Sequence, residues 1–132
     1  MLEPGLEGIV ERMVTEAMTA TALGSGDVPV LGTPAVLALM EAAACRALEG
    51  RLGEGETTVG SRVELSHGAA TAVGVPVTAT ARLVEVDGRT LTFEVRLSNP
   101  GGVVASGRHV RAVVQRERFL EKWIGAKDQA PG

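Results

Sequence analysis

The chain has 132 residues, 45% hydrophobic and 22% charged, the balance of a globular protein and not of a disordered or fibrous one. That length suits one domain spanning residues 1–132. A formal net charge of -3 and only 3 aromatic residues (2 Phe, 1 Trp, no Tyr) leave neither the basic footprint nor the stacking platforms of a nucleic-acid binder.

No apolar run approaches the roughly 20 residues needed to span a bilayer, and the opening segment lacks the basic-then-apolar layout of a signal peptide. The expectation is a cytoplasmic protein with neither a membrane nor a nucleic acid as partner. Cys45 is the lone cysteine, and with two histidines the chain has no Cys/His cluster for a structural zinc. No metal or other cofactor is expected.

From the N-terminus, Gly8 to Ala20 is rich in Val, Met and Thr and reads as a strand running into a turn. Gly24 to Pro29 has the composition of a loop. Thr33-Pro34 reads as a helix start, threonine at the N-cap and proline at the first helical position, where its missing N–H costs nothing. Strong helix formers follow to Glu49, and Gly50 suits the C-cap. Between Pro34 and Cys45 only Glu41 is polar. A helix apolar all round is a buried helix, wrapped by a sheet or covered by another subunit.

After Gly50 the period changes to two. From Thr57 to His67, Val59, Val63, Leu65 and His67 fall on one face of a half-buried strand, with Arg62, Glu64 and Ser66 on the other. Val77–Glu85 and Arg89–Leu97 flank Asp87-Gly88 and form a hairpin. A three-residue loop, Val86-Asp87-Gly88, sets Leu83 opposite Leu91, Ala81 opposite Phe93, Ala79 opposite Val95 and Val77 opposite Leu97, so that every apolar residue shares a face. Asn99 to Gly102 turns the chain into a long strand from Val103 to about Gln115. Arg116 to Trp123 reads as a short amphipathic helix, and the chain from about residue 125 onward is expected to fray. One strand, one apolar helix and four antiparallel strands give an α+β fold in which the sheet curls around the helix. The free sheet edges favour a dimer.

Glu41 is the first candidate for chemistry, since an ionised carboxylate in an apolar surround needs either an arginine partner or a catalytic task. His67 ends its strand on the face that packs on the helix, as a satisfied core histidine or a catalytic one. His109 sits on a mixed face with Arg111 and Val113 and reads as a solvated edge residue. Thr33 serves either as the helix cap or beside backbone N–H groups suited to an oxyanion. Eight residues separate Thr33 from Glu41, roughly 12 Å along a helix, so a shared site needs substrate, His67 or a second subunit between them. Packing among alanines accounts for Cys45 better than a nucleophilic role does. Phosphate-loop, dinucleotide, serine-hydrolase and zinc-peptidase motifs are all missing from the sequence.

The segment Val30-Leu31-Gly32-Thr33-Pro34, with Leu39-Met40-Glu41-Ala42-Ala43-Ala44-Cys45, Gly60 to His67 and Ser106 to Val113, resembles the hotdog-fold thioesterases of the fluoroacetyl-CoA thioesterase group. The resemblance implies a hotdog fold, a dimer or dimer-based oligomer with sites at the subunit interface, and hydrolysis of acyl-CoA thioesters. By matching position it implies that Thr33, Glu41 and His67 are catalytic, that Gly60 lines the acyl pocket and that Arg111 lies near the acyl or CoA end. In the fluoroacetate enzyme a phenylalanine gate precedes the threonine. Here Gly26 to Val30 contains no aromatic, so selectivity for fluoroacetyl-CoA is not implied. The function expected is hydrolysis of a short or medium acyl-CoA. The alternatives are a non-catalytic acyl-CoA or CoA binder and, with less support, an enoyl-CoA hydratase.

Overall fold

A computed structural model describes residues 2–125. Strand β1 (Glu7–Met13) leads through a 3-10 turn (Glu16–Met18) and the short helix α1 (Ala20–Leu23) into the long helix α2 (Thr33–Ala47). Then come β2 (Glu56–His67), β3 (Pro76–Asp87), β4 (Thr90–Asn99), β5 (Gly102–Gln115), helix α3 (Arg116–Leu120) and a π-helical turn (Glu121–Gly125). All pairings are antiparallel, in one five-stranded sheet ordered β1-β3-β4-β5-β2. This is the expected α+β hotdog architecture, a long helix held in a curled antiparallel sheet. No helix among the described residues is long and apolar enough to cross a membrane. The expected fraying at the chain end lies outside the described residues beyond 125.

The core is the face that alternation identified. Val77, Ala79, Ala81 and Leu83 of β3 and Leu91, Phe93, Val95 and Leu97 of β4 are buried with Val36, Met40, Ala43, Ala44 and Ala47 of α2. Burying each larger aliphatic or aromatic side chain contributes about 1.5–3 kcal/mol, while the alanines let helix and sheet approach. Gly8 on β1 completes that approach: a Cβ there would fall on the Ala43 carbonyl and the Ala47 amide. The helix is not buried all round, because Pro34, Ala38 and Cys45 on its other flank are exposed and Leu37 and Glu41 partly so.

The segment from Gly8 to Ala20 is, as expected, a strand running into a turn, with the strand ending at Met13; beyond the turn Thr19 caps α1, accepting from the Ala22 amide at 3.1 Å. Several local expectations are corrected. The N-cap of α2 is Gly32 and not Thr33, with Pro34 second in the helix. The C-cap is Leu48, and Gly50 takes its left-handed conformation (φ 71°) in the turn beyond. The β3–β4 hairpin closes two residues off the expected register: Asp87 pairs with Thr90 around the two-residue turn Gly88-Arg89, and a bulge at Val84 brings Leu83 opposite Phe93 and Ala81 opposite Val95. The extra residue keeps all apolar side chains on one face despite the shorter turn. In β2 a second bulge lies between Gly60 and Arg62. Val59 pairs with Ala112 and therefore faces away from the side shared by Val63, Leu65 and His67, contrary to strict alternation.

Candidate functional site

Two clusters form where the open flank of α2 meets β2 and β5. In the first, Thr33 Oγ1 lies 2.8 Å from Nδ1 of His67. The loss of the capping role explains this bond, because as the first helical residue Thr33 keeps its hydroxyl free while Gly32 forms the cap. At this end of the helix Pro34 has no N–H, and the amides of Ala35 and Val36 are bonded to the Gly32 carbonyl. The Thr33 N–H makes no such bond among the described residues, and it is the spare backbone donor beside the hydroxyl. Nε2 of His67 is buried without a hydrogen-bond partner among the described residues.

The second cluster surrounds Glu41. Its Oε2 accepts from Arg111 Nη1 at 3.2 Å and lies 3.7 Å from His109 Nε2. Arg111 is almost fully enclosed and fixed at three further points: Nε donates to Thr58 Oγ1 (2.9 Å), Nη2 to the Thr58 carbonyl (3.1 Å) and Nη1 to His109 Nε2 (3.1 Å). His109 Nδ1 lies 3.0 Å from the Arg62 carbonyl, which can only accept. The ring is therefore protonated at Nδ1, and Nε2 is the acceptor for Arg111. Burial, with the Arg111 charge adding to it, lowers the His109 pKa despite the Arg62 carbonyl bond and Glu41. The ring of Phe93 packs beneath it, 6.5 Å between centroids.

Gly60 pairs directly with Arg111 across β2 and β5. A Cβ on Gly60 would lie 2.6 Å from Glu41 Oε2 and 3.1 Å from His109 Cε1, so only glycine leaves the carboxylate where Arg111 holds it. A depression of about 320 Å³ opens here, lined by Leu37, Glu41, Gly60, Ser61, Val63 and His109, among others. The Glu41 side chain is 39% exposed at its floor, so one carboxylate edge is anchored and the other reaches solvent.

All five residues singled out from the sequence are thus engaged, but in two groups: Thr33 with His67, and Glu41 with Gly60 and Arg111. His67 bridges to Thr33 and makes no contact with Glu41 in one chain. His109 was expected at a solvated edge, yet it is 2% exposed and is the residue on which Arg111 rests. The signal for it was present in β5, where Ala105, His109, Arg111 and Val113 share one parity and all are buried. Cys45 is exposed, and it stands twelve residues, roughly 18 Å, along α2 from Thr33, the residue to which His67 is bonded. No group of three or more metal-binding side chains occurs among the described residues.

A long helix cradled by one antiparallel sheet is the hotdog fold, and the family model that matches this chain makes it a thioesterase, a hydrolase of acyl-CoA thioesters. More narrowly, the chain belongs to the family described as fluoroacetyl-CoA-specific thioesterase (FlK), whose profile matches residues 14–117. It is similar to the fluoroacetyl-CoA thioesterase of Streptantibioticus cattleyicolor, 39% identical over 93 residues, which cover 70% of this chain and 67% of that protein. A solved structure of the fluoroacetyl-CoA thioesterase FlK superimposes with a TM-score of 0.88 at 31% identity, covering 99% of both chains. A Thermus thermophilus thioesterase superfamily member superimposes with a TM-score of 0.89 at 27% identity, covering 98% of this chain and 96% of that one.

Proposed function

We propose that the protein hydrolyses short or medium acyl-CoA thioesters to the acid and free CoA in the cytoplasm, as a homodimer or dimer-based oligomer, with Thr33, Glu41 and His67 as its catalytic residues. The observation that carries this reading is the 2.8 Å bond between Thr33 Oγ1 and His67 Nδ1 at the start of α2. A threonine released from capping and joined to a histidine is a polar pair with no structural task there. Glu41 supplies the attack on the thioester carbonyl, directly or through a water it deprotonates. Thr33 donates a hydrogen bond to the reacting group, and its backbone N–H stabilises the oxyanion. His67 moves the proton between the Thr33 side and the departing thiolate. Arg111 keeps one Glu41 oxygen anchored, and Gly60 gives the acyl group access to the other.

The two clusters of one chain become one site when a second copy supplies the missing half. Three features support this arrangement: β2 is an edge strand, the flank of α2 bearing Pro34, Ala38 and Cys45 is exposed, and His67 Nε2 has no hydrogen-bond partner among the described residues. Broad acyl selectivity is supported by the placement of the aromatics. Phe93 is in the core, Phe119 and Trp123 lie on the C-terminal segment, and none lines the depression at Glu41.

The test is release of free thiol from a panel of acetyl-, fluoroacetyl-, butyryl- and hexanoyl-CoA. Glu41→Gln should lower kcat by about 10²–10⁴-fold with little change in melting temperature. Binding without thiol release in the wild type would mark a non-catalytic binder instead. Loss of enoyl-CoA absorbance would mark a hydratase. A single turnover in ¹⁸O-water distinguishes the two: direct attack expels the thiolate and forms an anhydride whose hydrolysis at the Glu41 carbonyl leaves the label in Glu41 and the acid unlabelled, whereas attack by water labels the acid at once.

A further inference from the structure

His109 takes no part in the bond-making steps proposed for Glu41, Thr33 and His67, yet it is 2% exposed and both of its ring nitrogens are engaged. Its neighbours fix the ring. Nδ1 donates to the Arg62 carbonyl at 3.0 Å, just past the β2 bulge, and Phe93 of β4 packs beneath. Gly60 leaves the space at Cε1, where a Cβ would stand only 3.1 Å away. The charged groups that face the ring are Arg111, two residues along the same strand, and Glu41 of α2, whose Oε2 is 3.7 Å from Nε2. Protonation at Nε2 would set two cations 3.1 Å apart and withdraw the acceptor from Arg111. Burial, reinforced by the Arg111 charge, disfavours that form.

Arg111 Nη1 carries two hydrogens in the guanidinium plane and meets two acceptors, Glu41 Oε2 at 3.2 Å and His109 Nε2 at 3.1 Å. Thr58 holds the other edge of the guanidinium, at Nε and Nη2. With the His109 acceptor removed, Thr58 would still fix that far edge. The near edge would be held through Glu41 alone, a side chain 39% exposed and able to follow any movement of Nη1. Anchor and anchored group would then shift together. We infer that His109 is a positioning residue of the thioesterase: by accepting at Nε2 it holds Arg111 in the orientation that keeps one Glu41 oxygen in place and turns the other toward the substrate. The inference rests on Glu41 as the group that attacks the thioester or activates water.

His109→Phe keeps a ring and removes the acceptor, whereas His109→Gln restores an acceptor without the imidazole. Thiol release from the acyl-CoA panel should show kcat lowered about 10–100-fold in His109→Phe with KM within about threefold of wild type, and most of the lost kcat recovered in His109→Gln. His109→Leu repeats the test with a smaller side chain if phenylalanine fails to pack. In a Glu41→Gln background, His109→Phe should bring no further loss, because its effect passes through the carboxylate. Wild-type kcat in His109→Phe, or an undiminished further loss in the Glu41→Gln background, would overturn the inference. So would a His109→Gln variant as impaired as His109→Phe, since the acceptor would then not be what counts. A readout apart from turnover is the ¹⁵N imidazole spectrum of the full-length protein at neutral pH, with His109 identified by the signals lost in His109→Gln. It should show a proton on Nδ1 and none on Nε2, and the opposite tautomer would also overturn the inference. If the wild type releases no thiol, the thioesterase reading fails, while an unprotonated Nε2 in that spectrum still supports the hold of His109 on Arg111.

Discussion

Replacing Gly60 with alanine adds one methyl group and tests whether the placement of the Glu41 carboxylate governs turnover. The new Cβ would lie 2.6 Å from Glu41 Oε2, against about 3.4 Å for ordinary contact, so the oxygen must retreat by about 0.8 Å. His109 Cε1 at 3.1 Å and Arg111 Nη1 at 3.5 Å from the same Cβ block withdrawal along the strand face, leaving the solvent side as the exit. Movement that way stretches the 3.2 Å bond to Arg111 beyond hydrogen-bond range. The backbone itself accepts alanine, because Gly60 is not among the glycines of positive φ, and the atom displaced is the end of a flexible side chain. Misplacing a reacting group by about 1 Å can cost around 10²-fold in rate, so kcat/KM should fall roughly 10–100-fold while the melting temperature stays within a few degrees. Thiol release and thermal unfolding measured on the same preparation give both quantities. Wild-type turnover in Gly60→Ala would refute the placement argument, and a collapse of stability would show that the glycine serves packing.

Three further outcomes follow from the described geometry. Thr33→Val should reduce kcat by about 10–10³-fold yet shift stability by no more than about 0.5 kcal/mol, because Gly32 and not Thr33 caps the helix; a loss of 1 kcal/mol or more by denaturant melt would restore the capping role. His109 has a folded-state pKa below its usual value, so the unfolded chain binds the proton more tightly and the stability contribution, complete above about pH 6.5, is lost as pH falls toward the folded pKa. His109→Gln, which preserves an acceptor for Arg111, should therefore show a shallower drop in melting temperature between pH 7 and pH 5 than the wild type; parallel curves would contradict this. Gly8→Ala should destabilise by about 1–3 kcal/mol or more, seen as a melting temperature lower by several degrees with kcat preserved in the folded fraction, since the methyl group meets helix backbone and not a movable side chain.

The elements and their buried faces were legible because alternation and helical composition act over many residues at once. Leu91, Phe93, Val95 and Leu97 share the core face in any register that buries them, so the face was read correctly while the pairing was off by two. The bulges that set the pairing, at Val84 and after Gly60, involve single residues with no compositional mark. Glu41 stood out by contrast with its helix, and its partner proved to be Arg111, 70 positions away, a pairing that only tertiary structure supplies. Thr33 was recognised as a helix-start residue but misplaced by one position, and that single position separates a structural hydroxyl from one free to meet His67. His109 was missed because a histidine between Arg108 and Arg111 looks solvated, whereas the guanidinium of Arg111 turns inward and takes the histidine as its acceptor.

The bulge in β2 has a consequence for how this chain can vary. Gly60 and His67 are seven positions apart, an odd number, so in a regular strand they would project to opposite sides of the sheet. Both face α2 only because the residue between Gly60 and Arg62 is counted out of the pairing. Deleting Ser61 would remove the bulge and leave Gly60 and His67 six positions apart, matching Arg111 and Ala105 on β5, so that both would still face α2 in a regular strand. The segment from Gly60 to His67 should thus tolerate loss of Ser61 as well as exchange of its outward residues, provided that an even number of paired positions still separates Gly60 from His67.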